Sequence, residues 1–389
     1  MHIIVLEQEP SSRRGGQERS LLRLCSELSQ RGHIISLLYT IEGDLVAQYQ
    51  NFGAHVIKLS WFTVYQKQFI FRFLTGLWKA TWILNTSKDS IVLCNQYQDS
   101  LFGRLLALSK NVPFVCYLRI PPPEPPSTNV EWQWNIGLKG VKQFIAVSHK
   151  TKLDWVSSGF KEEKIDVVHN GVSPEVFKPA KDFYAIRKEW NIPEDMRLIS
   201  YVGRLDKEKG LETLIKAFAL LLKSGISARL LIAGKPVVQG EEYKKSLEKL
   251  LSHLGIEKYV SFLGHVDNAT SVYQVSDITV LPSLWSEPFG RTVIESMACG
   301  TPVVASRTGG IPEILTGEFQ SGLFNAGDER DLTDTLIHMI NWRNKNAQLG
   351  KRCREHVLSQ FTVDRMVDGV EKVILRVIED TAALTADPA

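Results

Sequence analysis

The feature that most constrains this chain is an alternation, present twice, of short unbroken apolar runs with longer amphipathic stretches. Residues 3–6, 33–39, 55–59, 91–94, 114–117 and 143–147 read as strands, and 17–31 has helical spacing between the first two. A strand that is apolar on both faces has to be covered on both faces, which is the environment of a parallel sheet between helices. The pattern restarts with strands at 198–202, 229–233, 260–263, 278–281 and 302–305, and with helices at 211–223 and 241–254. The expected fold is therefore α/β with two doubly wound, Rossmann-like domains. A length of 389 residues suits two such domains. The turn-rich segment 169–179 marks the break, giving domains 1–172 and 173–361. A terminal helical stretch, about 362–380, has the apolar spacing to pack back on the first domain.

Composition removes several function classes. The chain carries 46 Lys plus Arg against 43 Asp plus Glu, a net charge of +3 that argues against a dedicated nucleic-acid binder. Its five cysteines, Cys25, Cys94, Cys116, Cys299 and Cys353, include no CxxC pair, so neither a thiolate metal site nor a disulfide scaffold is expected. A reducing cytoplasm fits that pattern. The opening MHIIVLEQEP has no basic leader and too short an apolar stretch for a signal peptide. No apolar run approaches the roughly 18 residues of a spanning helix.

Three motifs follow strands, where open α/β sheets bind ligands. The first is EPFGRTVIESMACG at 287–300. Helical spacing begins near Arg291, so the backbone N–H groups of Gly290, Arg291 and Thr292 face forward as an anion site, with Gly290 allowing close approach. Glu287 lies in the loop and Glu295 about one turn into the helix; both are acceptors for sugar hydroxyls. The second is VGRLDKEKG at 202–210, whose Arg204 fork and Lys209 point charge together suit a diphosphate. It lacks GxxxxGK[ST] and is not a P-loop. The third, RRGGQER at 13–19, places Gly15 and Gly16 in a turn before a helix, without the spacing of a dinucleotide fingerprint.

In this order the motifs resemble those of a retaining GT-B glycosyltransferase of family 4, in which two Rossmann-like domains face a central cleft. The likeness covers nearly the whole chain and includes HNGV at 169–172, LGHV at 263–266 and TGGIPEI at 308–314. It implies that the second domain holds a UDP- or GDP-sugar and the first an acceptor hydroxyl. On that likeness Arg204 and Lys209 neutralise the donor diphosphate, with Gly16, Gly290, Arg291 and Thr292 around it. Glu287, with the backbone of Phe289 and Gly290, meets the donor sugar. Glu295 holds the ribose and the backbone near Val266 meets the base. The resemblance departs at one place: where the family commonly carries a His in a segment like HEPP, this chain reads YLRIPPP, with Arg119 at the aligned position. Arg119 only donates hydrogen bonds and is always charged, which implies an altered donor pocket or reduced activity.

No DxD pair of the GT-A kind is present, so a metal-independent reaction without cofactor is expected, with cations and a helix start stabilising the leaving diphosphate. A GT-B-type sugar-nucleotide epimerase and a non-catalytic sugar-nucleotide-binding protein are the alternative readings. The acceptor side has its own signal. The segment WFTVYQKQFIFRFLTGLWKATWIL, 61–84, contains Lys67, Arg72 and Lys79 with no acid, and Trp61, Trp78 and Trp82. A basic aromatic helix suits an anionic membrane surface, hence a lipid or lipid-linked sugar, or a polysaccharide precursor, as acceptor and a peripheral location on the inner membrane face. Residues 1–172 hold 19 Lys plus Arg and 14 Asp plus Glu, a net +5 that leaves −2 for the remainder. Tyr97, Trp132 and Trp134 are expected to offer stacking surfaces for sugar rings.

Overall fold

The computed structural model describes residues 1–64, 69–123, 131–236 and 240–386. The chain divides into two compact units, one of Met1–Asn170 with Val363–Ala389 and one of Gly171–Thr362. The first is built on seven parallel strands: β1 (His2–Leu6), β2 (Ile34–Tyr39), β3 (His55–Lys58), β4 (Ser90–Cys94), β5 (Phe114–Leu118), β6 (Gln143–Ala146) and β7 (Ile165–Val167), in the order β3-β2-β1-β4-β5-β6-β7. Its central strands are sealed on both sides: Ile3, Ile4, Val5 and Leu6 of β1, and Ile91 to Cys94 of β4, have no exposed surface. The strand order reverses between β1 and β4, and at such a switch point the two following loops part to leave a crevice.

The helix Val363–Ala386 belongs to this unit. Its Gly369 lies so close to Val168 that a Cβ would come within 2.9 Å of that side chain. Arg31 binds both Asp368 and Glu371, at 2.7 and 2.6 Å, and His33 reaches Glu371 at 2.5 Å, so ion pairs as well as apolar burial hold the helix.

The second unit repeats the plan with six parallel strands: β8 (Arg197–Val202), β9 (Ala228–Ala233), β10 (Val260–Gly264), β11 (Ile278–Leu281), β12 (Val303–Ser306) and β13 (Leu323–Phe324), in the order β10-β9-β8-β11-β12-β13. Its switch point lies between β8 and β11. The helix Leu211–Lys223 buries Leu211, Leu214, Ile215 and Phe218 against the sheet, while Lys216 and Lys223 stay outside, as its 3.6-residue apolar period requires. At the strands' N-terminal edge, Asp277 is fully enclosed. Its carboxylate accepts from Arg187 Nη1 and Arg343 Nε, both at 3.0 Å, and from the Leu198 N–H at 2.8 Å. Burying a carboxylate is costly unless its lone pairs are filled, and here they are. All five cysteines are buried and free.

Two sequence expectations are corrected. The helix read across 61–84 runs only over Ile70–Ile83, and residues 61–64 lie outside any helix or strand; Lys67 falls outside the described residues. Trp132 and Trp134 lie on the helix Glu131–Leu138. Tyr97 and Trp134 are not sugar platforms. They are buried, meet edge to face at 5.2 Å, and Tyr97 packs equally closely on Trp155. Only Trp132 of the three stays open to solvent.

Candidate functional site

At the switch point of the second unit the two loops are packed against each other by glycines. Gly210 ends the VGRLDKEKG turn with φ +68°, and a Cβ there would lie 2.0 Å from the Pro282 carbonyl oxygen. Leu284 N–H donates to the Glu208 carbonyl at 2.8 Å, tying the second motif to the loop after β11. From the other side comes Gly309 of TGGIPEI, φ +57°. A side chain there would lie 1.9 Å from the Glu287 carbonyl oxygen, and the Gly310 N–H donates to that same oxygen at 2.7 Å. The loop after β11 is thus held at Pro282 and Leu284 by the second motif and at the Glu287 backbone by TGGIPEI. Only glycine allows both the left-handed turn and the approach.

The side chains converge as well. Lys209 Nζ donates to both carboxylate oxygens of Glu287, at 3.1 and 2.7 Å. Ser283 Oγ and Trp285 Nε1 donate to Glu287 Oε2 at 3.1 and 2.7 Å. The Lys209 ammonium also lies 5.1 Å from the Trp285 ring centroid, a cation–π contact. Lys209 is buried and Glu287 half-buried, so this pair sits where charge interactions are screened less than at an open surface.

Around it lie the other residues marked in the sequence. Arg204 pairs with Asp206 at 3.2 Å, and its carbonyl accepts from the Tyr201 hydroxyl at 2.5 Å. Gly290 caps the helix Arg291–Ala298 with φ +99°. Arg291 Nη2 reaches Glu295 Oε1 at 3.0 Å, and the Tyr273 hydroxyl donates to Glu295 Oε2 at the same distance. Burial and the adjacent Glu295 charge hold the Tyr273 phenol far above its ordinary range, so it stays a donor. Thr292 Oγ1 donates to the Val202 carbonyl at 3.2 Å, binding this helix start to the end of β8. The Phe289 ring is buried against Phe361, 5.7 Å between centroids, so that residue offers only backbone to a ligand. Val266 lies just past β10, on the far side of β9 from β8, and is not drawn into this cluster.

Gly16 and Arg119 belong to the first unit. Gly16 opens the helix Gly16–Gln30. Arg119 follows β5 and is buried, with its guanidinium 4.0 Å from the Tyr117 ring centroid. Its Nε donates to Asn95 Oδ1, and its Nη1 to Asn170 Oδ1 at 3.3 Å. Asn95 in turn donates through Nδ2 to Glu7 Oε2. Ser20 Oγ donates to Asn170 Oδ1 at 2.8 Å. Sequence reasoning marked Arg119 by resemblance and missed Glu7 and Asn95 beside it. Glu7, Asn95 and Arg119 are each the first residue after β1, β4 and β5, and a polar residue ending an apolar strand is the one signal that marks them. Burial, with Glu18 and Asp99 nearby, pushes the Glu7 carboxyl up to about 8. Burial, opposed by the Arg14 charge, takes Asp99 to about 7, and burial raises Glu18 too.

Two doubly wound parallel units, the second with charged loops at its switch point, define the GT-B class. Over 96% of this chain and 98% of the other, the structure matches that of Anabaena HepE solved with UDP and glucose, with a TM-score of 0.82 at 21% identity. Residues 14–176 match Glycosyltransferase Family 4 and residues 182–356 match Glycosyl transferases group 1, and the chain belongs to this family of glycosyltransferases. It is 34% identical over 229 residues to the D-inositol 3-phosphate glycosyltransferase of Mycolicibacterium smegmatis, a match covering 58% of this chain and 50% of that protein. It is 30% identical over 235 residues to the N-acetyl-alpha-D-glucosaminyl L-malate synthase of Bacillus anthracis, 60% of each chain. The matched region thus spans about half to three-fifths of these curated relatives.

Proposed function

We propose that the chain is a retaining glycosyltransferase that moves a sugar from a nucleoside-diphosphate sugar, UDP- or GDP-linked, to a hydroxyl acceptor. The observation that carries this reading is the Lys209–Glu287 pair at the switch point of the second unit, flanked by a helix start. A diphosphate leaving group concentrates negative charge at its oxygens as the anomeric bond breaks. Lys209, Arg204 and the N–H groups at Gly290 to Thr292 are donors of the kind that stabilise such charge without metal chemistry. Lys209 already bridges to Glu287, so the cation that meets phosphate and the carboxylate assigned to the donor sugar are held as one rigid group. The acceptor hydroxyl attacks the anomeric carbon from the face the diphosphate leaves. The C–O bond to phosphate breaks, the new C–O bond forms, and a phosphate oxygen takes the hydroxyl proton; the configuration is retained. Glu287 positions the sugar and offsets oxocarbenium charge, and Glu295 serves the ribose hydroxyls.

Among the described residues no helix is long and apolar enough to cross a membrane. The proposed place of work is the cytoplasmic side, with a lipid, a lipid-linked sugar or a polysaccharide precursor as acceptor. The test is a panel of nucleotide-sugars screened for binding, followed by product analysis with candidate acceptors. Acceptor-dependent release of nucleoside diphosphate, with an axial or equatorial linkage matching the donor's, supports transfer; inversion of the anomeric centre sinks the retaining mechanism. One observation favours a second reading, a sugar-nucleotide-binding protein without turnover. The Arg119 guanidinium is engaged by two side-chain amides, a poor substitute for a neutral imidazole. Tight donor binding with no release of diphosphate across the whole acceptor panel would decide for it.

A further inference from the structure

The helix Ile70–Ile83 is apolar on two opposite faces. Its inner face buries Phe73, Gly76 and Ala80, with Phe73 edge-on to Phe102 at 5.5 Å. Its outer face carries Phe71, Leu74, Trp78 and Trp82, which are 74%, 53%, 69% and 76% exposed. At about 100° per residue those four side chains fall within an arc of about 80°. Trp78 and Trp82 stack on each other, 6.4 Å between centroids and 11° from parallel. A helix that covers a sheet needs one apolar stripe, and the second stripe has no use within the fold. It continues onto the next helix, Ser100–Lys110, through a Thr81–Ser109 hydrogen bond of 3.0 Å, beside which Leu108 is also exposed.

The charges flanking the stripe are of one sign. Arg72 and Lys79 lie on the same edge of it, and the helix contains no acid. Among the described residues neither cation pairs with a carboxylate: Lys79 Nζ donates to the Lys58 carbonyl at 2.8 Å, and the Arg72 guanidinium lies 5.9 Å from the Phe69 ring centroid. Lys58, by contrast, is neutralised by Glu42 at 2.9 Å. Indole and phenyl rings bordered along one edge by cations match a lipid headgroup boundary, where rings sit at the interface and cations meet phosphate.

We propose that the outer face of the helix Ile70–Ile83 docks the first unit onto an anionic lipid surface. Phe71, Leu74, Trp78 and Trp82 enter the headgroup region, and Arg72 and Lys79 meet lipid phosphates. None of these residues belongs to the donor site, so docking stands independently of the transfer reading; the lipid-borne class of acceptor rests on both.

The test is co-sedimentation of the full chain with vesicles of phosphatidylcholine alone or mixed with phosphatidylglycerol, at low and high salt. Binding to the phosphatidylglycerol vesicles, weakened by salt, is expected. The double substitution Trp78→Ser with Trp82→Ser should weaken it by about tenfold or more. Arg72→Gln with Lys79→Gln should remove the preference for anionic lipid. All four side chains lie outside the core, and nucleotide-sugar binding in solution, measured on the same preparations, should not change; its absence in every preparation would count against the donor reading and not against docking. The proposal is overturned if the natural chain binds neither vesicle, binds both equally, or binds as tightly after the tryptophan substitutions. It is also overturned if those substitutions abolish self-association in sedimentation velocity while vesicle binding is absent, which would assign the face to a second copy.

Discussion

The two units solve the same topological problem with opposite electrostatics. Each is a parallel sheet whose order reverses near its middle, and each gathers polar side chains where the strands end. In the second unit every marked charge has an opposite partner close by: Lys209 with Glu287, Arg204 with Asp206, Arg291 with Glu295. In the first unit Glu7, Glu18 and Asp99 outnumber the cations, and Arg119 is held by Asn95 and Asn170. Excess buried carboxyls lower their cost by keeping protons, as the raised values of Glu7 and Asp99 record. A paired site can exchange one partner for a ligand phosphate or hydroxyl at little net cost. A protonated site responds to pH instead.

The largest effect should come from the paired site. Removing the carboxylate by Glu287→Ala should lower transfer by about 100-fold or more while changing donor affinity little, whereas Lys209→Ala should impair both. Steady-state kinetics and calorimetric donor binding separate the two, and unchanged turnover in both variants would remove the site. Next, Asp277→Ala should destabilise the second unit by about 3–5 kcal/mol, because Arg187 would be left as a buried unmatched charge. Denaturant unfolding followed by hydrogen exchange in β8 and β11 would show it. A loss below 1 kcal/mol would mean that the pairing principle does not describe this unit.

The first unit should behave oppositely. The Glu7 carboxyl keeps its proton in the folded unit up to about 8, while the unfolded chain releases it near 4.5. Between those values the folded state binds the extra proton, so stability is full below the lower value and falls as pH rises through the window. The slope is at most about 1.4 kcal/mol per pH unit. Glu7→Gln should flatten it, with the variant gaining on the natural chain at pH 8.5 relative to pH 6 in hydrogen exchange of β1 and β4. A parallel response in both proteins would show that Glu7 is ionised in the fold. The smallest effect should follow Tyr273→Phe, which deletes one hydrogen bond to Glu295 and should weaken nucleotide binding by about three- to tenfold.

Much of this architecture was legible from periodicity. Longer, mainly apolar strands such as β1, β4 and β8 announce themselves, whereas β7, with Asp166 at its centre, and the two-residue β13 are too short to carry a pattern. The donor-side motifs were legible because each occupies one stretch of chain after a strand. Tyr97 and Trp134 misled, since an aromatic residue near a strand end reads the same whether it faces a ligand or the core. The polar ends of β1 and β4, Glu7 and Asn95, passed unremarked because each is a single residue in its own stretch, and Arg119 after β5 was marked only by the family resemblance.

The sequence by itself determined two doubly wound units, the loops bearing the charges, and a basic aromatic helix without acids. Tertiary structure decided the partners. Lys209 meets Glu287 across 78 positions, Asn95 meets Glu7 across 88, and Arg187 meets Asp277 across 90. Each of these contacts comes from crossovers that set remote strands side by side. Local propensity cannot specify such neighbours, and a carboxyl's charge depends on which of them it finds and on how little water remains beside it.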